Sequence, residues 1–210
     1  MNNIERRNNE IAYISDKAIF EEQAVCRKLL QKLNFMDRSD FKGIREVVEE
    51  LIDAPQGASI NPPFYCDYGK RIHVGKNFFA NYNCTILDVA DVIIGDNCML
   101  APNVAIYTAG HPVHPDSRNS GYEYGKKVII GDNVWIGGNV VICPGVTIGN
   151  NVVIGAGSVV TKDIPDWSIA VGNPCKVQRT ITEEDRRKLY KDEEIDEEAW
   201  NDMINRGFAE

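Results

Sequence analysis

The sequence predicts a mainly β protein, a parallel β-helix of stacked triangular coils flanked by helices, and three observations predict it. From Val128 to Thr161 an aliphatic residue returns every six positions, at Ile130, Ile136, Ile142, Ile148, Ile154 and Val160. Neither the 3.6 period of an α-helix nor the period of two of an isolated strand explains this beat, and hexapeptide self-similarity marks a parallel β-helix. The same beat runs upstream through Val74, Ala80 and Ile86 and, after a slip of two residues, through Ile94, Leu100 and Ile106. Twelve ladder positions, eleven of them Val, Ile or Leu, therefore form four groups of three, one group per coil. Finally, the residue three after a ladder position is Asn or Gly at Asn77, Asn83, Asn97, Asn103, Asn133, Asn139, Gly145, Asn151 and Gly157. These residue types tolerate φ > 0 at a tight corner. The exceptions, Val89, Ala109 and Asp163, stand beside the slip, a long interruption and the end of the repeat, so they mark loops.

Composition narrows the class. The chain has 210 residues, 43% of them hydrophobic, enough for one cored domain with appendages. No run of eighteen apolar residues occurs, and the polar start MNNIERRNNEIAYIS lacks a basic-then-apolar leader. Neither a membrane span nor a secretory signal is expected, and a cytoplasmic location is the default. A net charge of -8 argues against nucleic acid as a partner, although the run Asp192 to Glu198 supplies much of it as a solvated helix face. The six cysteines (Cys26, Cys66, Cys84, Cys98, Cys143, Cys175) form no CxxC pair and read as reduced; Cys84, Cys98 and Cys143 fall where a small apolar side chain packs.

In chain order, residues 1–57 read as a helical segment. Ser15 or Asp16 can cap a helix reaching Leu33, with Leu29, Leu30 and Leu33 on one face. Ser39 can cap a second, in which Phe41, Ile44, Val47, Val48, Leu51 and Ile52 recur at three and four residues while Glu46, Glu49 and Glu50 take the other side. Two short helices cannot bury both stripes alone, so they should pack against the next segment of the chain. Residues 58–180 carry the β-helix. Pro62 and Pro63 exclude helix at its start, and the segment after Lys162 should close the last coil as a punctuated strand. Residues 181–210 read as a helical extension: Thr182 with Asp185 opens a helix through Leu189 or Tyr190, and Ile195, Ala199, Trp200, Met203 and Ile204 mark a second.

The interruption spans residues 107–127, and it holds two of the three histidines. A loop this long in an otherwise unbroken solenoid usually has a function. His111 sits between Gly110 and Pro112, which constrains its backbone near the third corner of the second coil. A neutral imidazole suits removal of a proton from an alcohol as an acyl group arrives, whereas the alternative is a surface histidine without a task.

The stretch IGDNVWIGGNVVICPGVTIGNNVVIGAGSVVTKDIP together with the loop motif GHPVH resembles the hexapeptide-repeat acyltransferases. More narrowly, PPFYCDYGKRIHVGKNFFANYNCTILD and the N-terminal helical segment are similar to the maltose and galactoside O-acetyltransferases, over about Tyr13 to Arg179. The resemblance implies a left-handed parallel β-helix of about four or more coils, a homotrimer with active sites between subunits, acetyl-CoA as donor, a sugar as acceptor, and no metal. It places the catalytic base on His111 and a non-catalytic role on His114, with direct attack of a sugar hydroxyl on the thioester. Glu123 matches a position often acidic in the maltose-type branch, from which it would orient the imidazole. Asn81 and Asp67 match acceptor-pocket positions, and the N-terminal segment 1–57 is implied to contribute to that pocket, its matching residues aligning only loosely near Ser15 to Gln23 with no individual contact assigned. For coenzyme A the matching residues are Gly138, Ala156, Thr161 and Lys162, with Lys176 and Arg179 near the nucleotide phosphates. The exposed ring expected of Trp135 would line the pantetheine channel or the trimer contact. Gly138 replaces a serine of the galactoside branch, which removes one side-chain hydrogen bond to coenzyme A; Val89 replaces an aspartate of that branch, and with Asp67 and Glu123 this departure leans toward a maltose or glucose acceptor. A galactoside or a hydroxylated antibiotic is the alternative acceptor. Remoter alternatives are a zinc hydratase, which would need His73, His111 and His114 around one metal, and a non-catalytic trimeric scaffold.

Overall fold

A six-residue side closes into a triangle only if the chain turns sharply after every ladder residue, and the asparagines are what turn it. In the computed structural model, which describes residues 1–208, all nine expected corner residues have positive φ, from 57° at Asn77 to 81° at Gly145. Along one edge the corner amides also bond their counterparts one coil away: Asn77 Nδ2 donates to Asn97 Oδ1 at 2.8 Å, Asn97 to Asn133 at 3.0 Å, and Asn133 to Asn151 at 2.9 Å. The residue before each corner adds a second stack. Asp96 Oδ1 accepts from the Lys76 N–H, Asp132 from Asp96, Asn150 from Asp132, and Asp166 from Asn150. That stack dictates the glycine after the ladder residue, because a Cβ on Gly131 would lie 2.5 Å from Asn150 Oδ1.

The coils present three parallel faces. The first contains Ile72–Val74, Val92–Ile94, Val128–Ile130 and Thr147–Ile148. The second begins at Ala58–Ile60 and runs through Phe78–Ala80, Met99–Leu100, Trp135–Ile136, Val153–Ile154 and Ser168–Val171 to an edge strand, Lys176–Thr180. The third holds Phe64–Cys66, Cys84–Leu87, Ala105–Tyr107, Val141–Ile142 and Val159–Val160. Ladder residues meet in register, Ile94 with Ile130 and Ile136 with Ile154, and all twelve are buried. Each such aliphatic contributes roughly 1.5–3 kcal/mol of transfer free energy, so stacking converts the beat into one continuous core.

The solenoid is longer than its aliphatic ladder. Ile60 pairs with Ala80 and Cys66 with Ile86, while Asp53 bridges to His73, so a coil precedes the one that begins at Val74. Its corners include Gly57 at φ 81° and Gly69 at φ 75°. Ala54 and Cys66 are too small to announce a ladder, and Pro63 replaces the corner asparagine. At the other end Ile164 bridges to Ile148 and Ala170 pairs with Ile154, with Trp167 at the corner at φ 56°.

The N-terminal segment folds as α1 (Asn3–Asn8), a two-residue strand Tyr13–Ile14, α2 (Lys17–Asn34) and α3 (Phe41–Leu51). Helix α1, capped by Asn2 and Glu5, was not signalled by periodicity. Asp16 rather than Ser15 caps α2, and Asp40 rather than Ser39 caps α3; Ser39 bonds Asp37 instead. Phe41 is 78% exposed and does not join the stripe of Ile44, Val47, Val48 and Leu51, which packs with Leu30 and Leu33 onto the first coils.

Residues Thr180–Glu210 form a separate compact unit. Here the expected helix through Tyr190 is corrected. Thr182 and Asp185 close only a 3-10 turn, Glu183–Asp185, and the chain then makes a hairpin of Lys188–Tyr190 with Glu193–Glu194, reversing at Lys191 with φ 52°. A tertiary pairing overrides local helix propensity: Arg187 bonds Glu197 at 2.6 Å and lies 5.0 Å over the Trp200 ring on α5 (Glu197–Asn205), the second expected helix. All six cysteines are free thiols. Among the described residues no helix is long and apolar enough to cross a membrane.

The corner account makes one stability prediction. Asn133→Ala places a Cβ-bearing residue without a compensating amide at φ 57°, costing roughly 1–2 kcal/mol, whereas Asn133→Gly keeps the conformation and loses only the amide stack. Thermal unfolding should fall by about 2–8 °C for the alanine variant and by less for glycine; equal losses would show that left-handed geometry is not what the asparagine supplies.

Candidate active site

The interruption folds as a hairpin. Ala109–Gly110 pairs antiparallel with Tyr122–Gly125, α4 (Pro115–Asn119) forms the tip, and Tyr13–Ile14 adds a third strand on the far side. Buried Thr108 pins the base: its Oγ1 donates to Leu87 O at 2.6 Å and accepts from the Ala90 N–H at 2.9 Å. Two glycines let the strands close. A Cβ on Gly110 would lie 2.6 Å from the Tyr124 ring, and one on Gly125 2.9 Å from Ala90 Cβ. Pairing runs Ala109 to Gly125 and Gly110 to Tyr124. Continued by one residue, this register sets His111 across from Glu123, and directly opposed residues project to the same side of an antiparallel pair. His111 is exposed, and Pro112 after it offers no N–H to extend the ladder.

Glu123 is half-buried and held from the third strand. Ser15 Oγ donates to Glu123 Oε1, and Tyr13, the register partner of Glu123, sets its phenol beside the same carboxylate. Tyr13 is 1% exposed, and burial pushes its phenol far above the ordinary value, so it remains a donor. Two further carboxylates occupy this corner between the third and first faces. Asp88, fully buried, accepts the N–H groups of Asp67 and Tyr68 on Oδ1, each at 2.9 Å. Its Oδ2 is buried without a partner, and burial raises its carboxyl. Asp67 itself is pushed up to about 6, first by burial and then by the charges of Asp88 and Glu123, with Arg27 opposing.

The other residues singled out from the sequence divide between two edges. Thr161 and Lys162, exposed after the last third-face strand, share the edge of Asp67 and Asp88. Asn81, Gly138 and Ala156 instead follow second-face strands and lie on the edge between the second and third faces. Asn81 Oδ1 accepts from the Tyr82 N–H at 2.8 Å. Gly138 and Ala156 succeed the paired residues Ile136 and Ile154 by two, so they stack, and together they leave an edge with almost no side chain. Trp135 is on the second face, 51% exposed, while Lys176 and Arg179 lie on the exposed edge strand. Within this chain the first edge therefore gathers His111, Glu123 and Asp67 at one corner, and Asn81 is not among them. Asn81 and Asp88 bracket one third-face strand, roughly 20 Å of extended chain apart.

The remaining histidines have local tasks. His114 caps α4, its Nδ1 accepting from the Asp116 N–H at 3.2 Å, and His73 Nδ1 is 2.7 Å from Asp53 Oδ2. Among the described residues no group of three or more His, Cys, Asp or Glu side chains is placed to hold a metal ion. Sequence reasoning placed the N-terminal segment at the acceptor pocket, near Ser15 to Gln23, but assigned no contact to Ser15 and none to Tyr13. A two-residue strand shows no periodicity, and its pairing with a loop more than a hundred residues away leaves no local mark.

Residues 127–162 match the family model described as bacterial transferase hexapeptide (six repeats). The chain is 45% identical over 177 residues to the galactoside O-acetyltransferase of Escherichia coli (strain K12), spanning 84% of this chain and 87% of that one. It is similar to the crystal structure of a maltose O-acetyltransferase from Clostridium difficile 630, at 50% identity and a TM-score of 0.85 over 87% of this chain and 99% of that one. A structure of galactoside acetyltransferase in complex with coenzyme A matches at 40% identity and a TM-score of 0.87 over 93% of this chain and 99% of that one. Identity at this level over nearly the whole solenoid means that the chain belongs to the hexapeptide-repeat acetyltransferases, in the group of the galactoside and maltose O-acetyltransferases.

Proposed function

We propose that this protein moves the acetyl group of acetyl-CoA to a hydroxyl of a small sugar of the maltose or glucose type, with His111 as general base. The observation that carries the reading is the hairpin register, which opposes an exposed His111 to a tethered Glu123 at a carboxylate-lined corner of a chain related to O-acetyltransferases. In the reaction the sugar hydroxyl gives its proton to His111 as its oxygen attacks the thioester carbonyl carbon. The tetrahedral intermediate expels the thiolate, which takes the proton back from the imidazolium, so an ester and free coenzyme A leave and no acyl-enzyme forms. Glu123 accepts a hydrogen bond from the imidazole and stabilises its cationic form.

The bare edge at Gly138 and Ala156 suits close approach of a pantetheine arm to backbone amides, with Thr161, Lys162, Trp135, Lys176 and Arg179 as side-chain contacts. Asp67 and Asn81 are the acceptor contacts. Because these residues lie on two edges of one prism, the site is completed by a neighbouring copy, and a homotrimer brings the second edge of one subunit to the hairpin of the next. The reaction belongs in the cytoplasm, where acetyl-CoA is available.

Preference for maltose or glucose over galactosides rests on Asp67 and Glu123 and on the 50% identity to the maltose enzyme, against 40% and 45% to the galactoside relatives. Thiol release across maltose, glucose, galactosides and chloramphenicol should give the highest kcat/KM with the first two; a galactoside or the antibiotic in first place would reverse the assignment. His111→Ala should lower kcat by roughly 10²–10⁴ with unchanged thermal unfolding, since the side chain is exposed and packs no core. Near-full activity in that variant would remove His111 as the base.

Asp67 also predicts a pH dependence of stability. Its carboxyl ionises at about 6 in the folded chain against roughly 4 unfolded. The folded state thus binds the proton more tightly, and the stability this contributes is present below pH 4 and lost as pH rises toward 6. Asp67→Asn should remove that slope, so its gain in Tm over the parent is larger at pH 7 than at pH 4.5. A constant difference across this window would mean that Asp67 is not the titrating group.

A further inference from the structure

We propose that the N-terminal strand is a working part of the active site, in which Tyr13 and Ser15 are positioning residues that grip the Glu123 carboxylate across the hairpin from His111. The inference rests on the assignment of His111 and Glu123 above and extends it to a segment that no periodicity or motif marks. The two side chains reach Glu123 together: Tyr13 is its register partner in the antiparallel pairing, and Ser15 lies two residues later on the same strand face. Ser15 is available because Asp16 does the capping of α2, accepting the N–H groups of Ala18 and Ile19.

The strand is itself anchored. Arg7 is buried, stacks 4.4 Å over the Tyr68 ring and pairs with Glu22 at 2.7 Å, and Lys126 Nζ donates to Glu10 O at 3.1 Å. Tyr13 packs in a small apolar cluster with Ile19, Tyr68 and Val89, so its hydroxyl is presented from a fixed ring. A glutamate on a hairpin would otherwise sample several rotamers, an entropy that two fixed donors remove. A carboxylate has about four lone-pair sites, so the two donors leave acceptor capacity facing the imidazole. What the grip supplies is orientation: a base whose partner is held can take a proton without first ordering that partner.

The test is a mutant cycle on the full chain. Ser15→Ala and Tyr13→Phe should each lower kcat roughly tenfold to a hundredfold, the worth of one hydrogen bond to a charged group, with KM for acetyl-CoA unchanged. In a Glu123→Ala background the same changes should have no further effect, and Ser15→Thr, which keeps the hydroxyl, should restore kcat. The pH-rate profile of Tyr13→Phe should show its acidic limb displaced, the limb set by the general base, which a purely structural role would not move. Full kcat in the Tyr13→Phe/Ser15→Ala double variant, or an equal loss with and without Glu123, overturns the proposal. If Tyr13→Phe does not fold, the Ser15 arm of the cycle decides alone. His111→Ala run alongside separates the two readings: its inactivity beside a fully active double variant overturns only the grip, whereas retained activity overturns the base.

Discussion

The tight corners of the prism hold residues at φ above zero, and along one edge the amide or carboxylate that goes there, or just before it, bonds to the same position one coil away. Asn77, Asn97, Asn133 and Asn151 satisfy both demands at once. The neighbouring stack of Asp96, Asp132, Asn150 and Asp166 fills the space that a Cβ would need on Gly75, Gly95, Gly131 and Gly149. One coil therefore prescribes the next. The recurring quartet of aliphatic, glycine, aspartate or asparagine, and asparagine is the sequence record of that constraint, and a frame built from it repeats at the inter-strand spacing of about 4.8 Å with little freedom to bend.

A regular prism has flat sides and no concavity, so a reaction centre has to come from its departures. The departures are concentrated on one edge. At the corner between the third and first faces the six-residue spacing slips after Cys66, slips again after Ile86, and is interrupted after Ile106. Those three places deliver Asp67, Asp88 and the His111 hairpin at successive levels of one edge. Stacking carboxylates in this way has an electrostatic consequence, since the burial of Asp67 first, and then the charges of Asp88 and Glu123, push its carboxyl well above the usual carboxylate range. The same rigidity that makes the coils uniform keeps these groups at fixed heights above one another.

How much of this the sequence disclosed depends on the length scale of each signal. The aliphatic ladder and its nine corner residues repeat often enough to be read directly, and His111 stood out because it breaks that repeat. The first coil was hidden because Ala54 and Cys66 are small and Pro63 takes a corner. Of the two caps the sequence offered for α2, Asp16 takes the role, and the cap of α3 lies one residue past Ser39 at Asp40; in both cases the aspartate's full charge serves the helix N-terminus better. The hairpin after Asp185 was read as helix because the pairing that overrides propensity, Arg187 with Glu197 and Trp200, is tertiary. No contact of Tyr13 or Ser15 with Glu123 was legible for the same reason, as two residues carry no period and their partner lies more than a hundred residues away in the interruption of the repeat.

The edge that carries the stacked carboxylates is not the one that carries Asn81, Gly138 and Ala156, and a solid prism with a packed core stands between them. No rotamer change or loop movement in one chain can bring together groups separated by a third-face strand. The hairpin, by contrast, projects off its edge, and its outer strand is covered by Tyr13–Ile14 from the same chain. The two halves of the site therefore have different tolerances. The register that sets His111 across from Glu123 is an intrachain matter, and the N-terminal strand holds Glu123 from the other side. Under the proposed assembly, donor and acceptor would be seated against it by a second copy, whose prism presents the bare edge to the projecting hairpin.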